Sequence, residues 1–307
     1  MSAATASVGV DVDSLRFYYR IHGLDESAAT NAAWTVGVPR FLALFADANI
    51  SATFYCVAED LEIDDNRDRL RAIADAGHEI GNHTWRHPYS LTRLSVAEIA
   101  EEIGEGRRRL EAAAGVPVVG FRAPGYNTNQ TVMAQVIETG HRYDTSVFPC
   151  APYYLAKAGV MGLMGLRGRR SKSVLGSPQV LFAPRDPYPM AANPHRRQAE
   201  GLVQYPISVA LGVPLIGTAF TAMGQAATRA AVAVGLRTRR HLTVEFHAVD
   251  LMGLNEDGLD PMLGVQPDLK VPVARKHRIF AALLAQLKSQ ARVERLDRLA
   301  AESAATG

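Results

Sequence analysis

The chain has 307 residues, 48% hydrophobic and 21% charged, which excludes a disordered, collagen-like or coiled-coil protein and allows a large buried core without disulfide staples. Its 33 Lys and Arg against 31 Asp and Glu leave a formal charge of +2, so there is no general electrostatic pull towards nucleic acid, local basic patches aside. The two cysteines, Cys56 and Cys150, form no disulfide framework and point to a reducing compartment. Residues 1–10 lack the basic start and long apolar core of a secretory signal, so the expected location is cytoplasmic.

Taken in order, residues 7–13 read as a strand and 31–49 as a helix with Val38, Leu42 and Phe45 on one side. A strand at 52–57 and a helix at 66–76, stopped by Gly77, come next. A short extended piece at 78–82 precedes the clearest helix. Ser95 and Glu98 open that helix as a capping box, and it runs to Ala114 before Gly115. A strand at 118–122, a helix at 129–139 and a strand at 141–144 follow. The stretch 147–198 is rich in Gly, Pro, Tyr and Arg, and reads as a loop insertion. Strands resume at 202–207 and 241–247. An amphipathic helix at 273–289 and a last strand at 292–296 lead to a flexible tail at 300–307. The uncharged run 207–228 has a bilayer-spanning length of roughly 20 residues. Gly212, Pro214, Gly217, Gly224 and Gln225 interrupt it, and it reads as a buried loop followed by a helix.

Alternating strands and helices predict a mainly parallel α/β sheet in one domain over 1–299, curled into a closed or nearly closed barrel. In such folds chemistry gathers where strands end. Asp11, Asp13, His83, Arg122, Asp144 and His247 all fall at or just after predicted strand ends, which predicts a single site.

Asp11 and Asp13 are two residues apart and share one face of a strand. Two such carboxylates coexist if a metal separates them or one is protonated. His83 and His87 have a spacing suited to a shared metal, and Pro88 favours a turn there over a long helix. A carboxylate from another strand completes a two-His, one-carboxylate set with open positions for water. Arg122, ahead of Pro124 and Gly125, begins a rigid turn and can hold a carboxylate in its ionised form. His247 ends an apolar strand and can act as a general acid if it faces the pocket.

In this order the blocks resemble the polysaccharide deacetylase family, also called the NodB-homology or carbohydrate esterase family 4 fold. Val10-Asp11-Val12-Asp13 is similar to its aspartate motif, in a spaced form. His83-Thr84-Trp85-Arg86-His87 matches the His-[Ser/Thr]-x-x-His block. Arg122-Ala123-Pro124-Gly125, Tyr143-Asp144-Thr145-Ser146 and the strand from Thr243 to His247 resemble the remaining three. Ala52-Thr53-Phe54-Tyr55 and Val203-Gln204-Tyr205-Pro206-Ile207 look like family core strands. The resemblance spans about residues 7 to 290. It implies a distorted (β/α)7 barrel and metal-dependent amide hydrolysis. Asp13, His83 and His87 would hold the ion, usually zinc, sometimes cobalt or nickel. Asp11 would be the general base, held by Arg122, and His247 the general acid. A backbone N–H of the Pro124-Gly125-Tyr126 turn would face the oxyanion, and Asp144 would support the site.

Two departures bear on the substrate. The spaced Asp-x-Asp leaves open which aspartate binds and which is the base, and it resembles the branch with cytoplasmic peptidoglycan-deacetylase-like, allantoinase-like and lipid-linked aminoarabinose deformylase-like members. Gly125 stands where many secreted members carry an aromatic. The expectation is a hydrolase that removes formyl or acetyl from an amino sugar, with nucleotide- and lipid-linked sugars among the candidate substrates. The alternatives are allantoinase-like opening of a small cyclic amide and a catalytically silent carbohydrate-binding module. Residues 155–166 are apolar and precede Arg167, Arg169, Arg170 and Lys172. Apolar residues beside a basic cluster suit peripheral contact with an anionic membrane surface.

Overall fold

The computed structural model describes residues 4–166 and 174–306. The strands are β1 (Thr5–Val12), β2 (Thr53–Cys56), β3 (Glu79–Asn82), β4 (Gly120–Phe121), β5 (Tyr143–Asp144), β6 (Tyr188–Met190), β7 (Leu202–Gln204), the small pair β8 (Val209–Ala210) and β9 (Val213–Pro214), then β10 (His241–His247) and β11 (Arg292–Val293). The sheet runs β10-β1-β2-β3-β4-β5-β7-β6, and β11 also pairs with β1. From β10 to β7 every neighbour is parallel, and only β6 is antiparallel.

The helices are α1 (Leu15–His22), α2 (Val38–Ala48), α3 (Asp64–Asp75), α4 (Val96–Ala114), α5 (Gln130–Glu138), α6 (Ala151–Leu166), α7 (Gly217–Met223), α8 (Gln225–Thr238), α9 (Val273–Gln290) and α10 (Leu296–Thr306). The Ser95–Glu98 capping box and the left-handed Gly115 bound α4 as expected.

The sheet curls until its two edges nearly meet. The chain after β7 fills the gap. Ile207 N donates to Val147 O at 2.9 Å and Ser208 N to Thr243 O at 3.0 Å, while Glu245 N donates to Leu215 O at 3.1 Å. The uncharged run 207–228 therefore forms this closing segment, the β8–β9 hairpin and α7. No helix among the described residues is long and apolar enough to cross a membrane.

The strands have two buried sides, as parallel strands flanked by helices must. Ala6, Val8, Val10 and Val12 of β1, with Leu242, Val244 and Phe246 of β10, pack outward against Phe41, Phe45, Phe280 and Leu284 of the helices. The alternate positions face the barrel interior, which is polar. Tyr143 Oη donates to Glu79 Oε1 at 2.8 Å and lies 3.1 Å from Tyr55 Oη, and Thr53 Oγ1 donates to Glu79 Oε2 at 2.7 Å. Two glycines make room for these rings. A Cβ on Gly81 would lie 2.5 Å from the Tyr55 ring, and one on Gly120 would lie 2.1 Å from Tyr143 Oη.

Two expectations are corrected. The stretch 147–198 is not loop throughout, because it contains α6 and β6. The tail from residue 300 is helical to Thr306. Leu296, Leu299 and Ala300 lie at helical spacing and pack against Tyr55, Tyr143 and Tyr205, which explains why the tail is ordered. The basic cluster Arg167, Arg169, Arg170 and Lys172 lies outside the described residues.

Candidate active site

Strand register places the site. Asp11 is paired with His247 across β1 and β10, Asn82 with Phe121, and Phe121 with Asp144. His83 and Arg122 each follow one of these strand ends, so all seven predicted residues sit along one rim.

His83 and His87 lie on a turn, as Pro88 suggested. Thr84 and His87 have φ of 71° and 56°, a left-handed conformation that costs energy for residues with a Cβ. Neighbours hold this turn in place. Asn82 Oδ1 accepts from Thr84 N at 3.0 Å, Thr84 Oγ1 accepts from His87 N at 3.0 Å, and Trp85 N donates to Glu102 O of α4 at 2.9 Å. Phe17 of α1 stacks on the His87 ring at 4.4 Å, and Tyr89 meets it edge-on at 4.7 Å.

The result is a convergence of donor atoms. Asp13 Oδ1 lies 3.3 Å from His83 Nε2 and 3.3 Å from His87 Nε2. All three side chains are buried. Asp13 Oδ1 and both His87 ring nitrogens have no hydrogen-bond partner. His83 Nδ1 donates to Arg122 O at 2.7 Å, which turns its Nε2 lone pair into the cluster. Burial opposes charge on Asp13, but the two imidazoles outweigh it and hold the carboxyl well below its usual range. Burial pushes His87 down. These orphaned atoms and the two-imidazole, one-carboxylate donor set fit a divalent ion such as zinc with positions left open.

Asp11 stands beside this cluster in a different setting. Its Oδ1 accepts from Arg122 Nη1 at 2.5 Å, and its Oδ2 lies 3.9 Å from His83 Nε2. Arg122 is fully buried, with its guanidinium 4.1 Å from the centre of the Tyr55 ring and Nη2 donating to Thr145 Oγ1 at 3.2 Å.

Asp144 does not reach the reacting centre. It accepts from Ser146 N at 2.9 Å and Ser146 Oγ at 2.5 Å, and Ser146 Oγ accepts from Ala123 N at 2.8 Å. It thus braces the turn after Arg122. Burial raises its pKa to about 6. Within that turn, Tyr126 N donates to Ala123 O and Asn127 N to Pro124 O. The N–H that these bonds leave for an oxyanion is that of Gly125.

His247 is the most open member, with its side chain 24% exposed. Burial disfavours its charge, but Glu245, Asp11, Asp13 and Asp250 outweigh that and raise its pKa to about 9. Asp250 Oδ2 accepts from its backbone N–H at 2.8 Å. Glu245 was not foreseen in the sequence. It is fully buried, Tyr126 Oη donates to its Oε1, and the same Oε1 lies 3.7 Å from His247 Nε2. The available signal was an ionisable residue two positions before His247, on the inward side of an otherwise apolar strand. Tyr89 and Phe17 against His87 were likewise not foreseen.

Residues 30–143, which include His83, His87 and Arg122, match the family model described as polysaccharide deacetylase. Over this stretch the chain is similar to the polysaccharide deacetylase family. It is 26% identical over 155 residues to the peptidoglycan deacetylase of Helicobacter pylori, covering 48% of this chain and 51% of that protein. It is 29% identical over 104 residues to a peptidoglycan-N-acetylglucosamine deacetylase of Bacillus cereus, covering 34% of this chain and 47% of that one. With the chitooligosaccharide deacetylase of Rhizobium leguminosarum bv. phaseoli it shares 31% identity over 113 residues, 36% of this chain and 48% of that one. The matched part is thus about half of each of these relatives. A solved Mycobacterium smegmatis structure, described as a candidate polysaccharide deacetylase, aligns over 100% of this chain and 92% of its own length. Its TM-score is 0.63 at 18% identity, a likeness of fold.

Proposed function

We propose that this chain is a metal-dependent hydrolase that removes an N-acyl group, acetyl or formyl, from an amino sugar. The observation that carries the proposal is the separation of roles between two aspartates two residues apart. Asp13 points at two imidazoles with an oxygen that has no hydrogen bond, whereas Asp11 is engaged by Arg122. The relatives' substrates, peptidoglycan and chitooligosaccharide, supply the amino-sugar class.

Asp13, His83 and His87 would hold the ion. Bound there, a divalent ion lowers the pKa of its water and polarises the acyl oxygen. Asp11, fixed by Arg122, accepts the proton of the attacking water through Oδ2, the oxygen that Arg122 does not engage. The N–H of Gly125 faces the developing oxyanion. His247, open to the pocket and kept protonated by the surrounding carboxylates, delivers a proton to the leaving amine.

A cytoplasmic setting and peripheral contact with the inner membrane face belong to the same proposal, and would suit a nucleotide- or lipid-linked sugar. Cys56 and Cys150 support the first as buried free thiols. The apolar stretch 155–166 and the basic residues after it support the second.

The test is metal analysis of the purified protein together with acetate and formate release from a panel of N-acylated amino sugars. One equivalent of a divalent ion and release of one acid are expected. A metal-loaded protein that releases neither acid but opens a small cyclic amide would replace this reading with the allantoinase-like one.

A further inference from the structure

We propose that Glu245 is a positioning residue: its carboxyl orients the imidazole of His247 and ties it to the turn that carries Tyr126. The proposal rests on the reading of His247 as the proton donor. Glu245 and His247 are two residues apart on β10, so both side chains leave the strand towards the barrel interior. One carboxyl oxygen serves two neighbours, since Glu245 Oε1 accepts from Tyr126 Oη and lies 3.7 Å from His247 Nε2. Tyr126 belongs to the turn whose Gly125 N–H is the proposed oxyanion donor. A single side chain on β10 therefore spans the proton donor and the proposed oxyanion donor, which come from strands on different parts of the wall.

Two further observations separate this role from ordinary packing. Glu245 is fully buried, yet its Oε2 has no hydrogen-bond partner. A buried carboxyl left half-satisfied reduces stability, so a role at the site explains its presence better than the fold does. Another buried acid of the rim, Asp144, is engaged by Ser146 and braces Ala123 instead. Charged groups act on His247 from several directions. Asp11 and Asp13 come from the end of β1, and Asp250 and Asp268 from the segments after β10, while Arg122 lies beyond Asp11 and Glu245. Among the described residues, Glu245 has the one carboxyl that forms an ion-pair contact with the imidazole.

The experiment compares wild type, E245Q, E245D and Y126F with zinc bound. The His247 ring is titrated by NMR, and kcat and KM are measured on the best N-acylated sugar. E245Q should lower the His247 titration point by about one pH unit or more. It should also reduce kcat at neutral pH about tenfold or more with little change in KM. E245D and Y126F keep the charge but loosen the Tyr126 link, so the titration should stay near wild type while kcat falls. These variants also answer the question if E245Q does not fold. An unchanged His247 titration in E245Q, or full kcat in E245Q, overturns the proposal. If wild type releases no acid from any sugar while the titration still moves in E245Q, the sugar reading fails and the positioning relationship stands.

Discussion

Arg122 and Asp11 form a fully buried ion pair, 2.5 Å between Nη1 and Oδ1, at the point where the two sides of the rim face each other. The pair joins residues 111 positions apart in the chain. It engages Oδ1 of Asp11, whereas Asp13 Oδ1 faces two imidazoles, and so makes two neighbouring aspartates chemically different.

This difference can be measured. D11N should lower turnover by about 10²- to 10⁴-fold, the range for a lost general base, and retain the bound ion. D13N should instead weaken metal binding. Metal content and kcat on the same preparations decide the assignment, and the reverse pattern would show that the two roles are exchanged.

R122A should do more harm to the fold than D11N does. It leaves Asp11 buried without its partner, a change that costs about 3–5 kcal/mol. Urea denaturation of the metal-free proteins reads the difference.

The Asp13, His83 and His87 cluster should couple metal to stability. With free zinc at about 100 times its Kd, the folded state gains about 2.7 kcal/mol. Chelation should therefore lower Tm in wild type. H87A should lose the ion and show a Tm that neither zinc nor chelator changes, while its circular dichroism stays that of the folded barrel.

His141 supplies a pH dependence away from the reacting centre. Burial, with Arg107 nearby, depresses its pKa to about 3, against about 6.5 in the unfolded chain. Its Nε2 accepts from Asn82 Nδ2 at 3.1 Å, behind the His83 turn. The folded state therefore resists a proton that the unfolded chain takes up. The stabilisation from a neutral His141 is complete above pH 6.5 and is lost as pH falls towards 3. Raised carboxyls such as Glu79, at about 8, act in the opposite sense, so the informative quantity is the wild type minus H141Q difference. That difference should shrink by about 1.4 kcal/mol per pH unit between roughly pH 6 and pH 4. Urea midpoints across this range check it.

Membrane contact is tested by liposome flotation. The protein should bind anionic vesicles at low salt and release at high salt. Changing Arg167, Arg169, Arg170 and Lys172 to Ser should abolish binding. A wild-type protein that stays unbound at low salt would favour a soluble substrate.

What the sequence determined by itself was local or periodic. The Ser95–Glu98 box, the Gly115 stop and the strand 241–247 were legible because capping and alternation act over a few residues. Six of the site residues were legible because they fall at or just after predicted strand ends, where chemistry collects, and their order together with His87 was legible through the family resemblance. Only the tertiary structure decided what depends on distant neighbours. The helix at 151–166 and the ordered tail were missed, the first because its glycines read as loop, the second because its partners Tyr55, Tyr143 and Tyr205 lie far away in the chain. Glu245 was missed because a lone acid in an apolar strand has no meaning until Tyr126, Arg122 and His247 surround it. The difference between Asp11 and Asp13 was left open by the residues themselves and assigned only through the family resemblance; the contacts that produce it are tertiary. Both share one strand face, and what separates them is the side chain that the curled sheet brings opposite each one: Arg122 for the first and two imidazoles for the second.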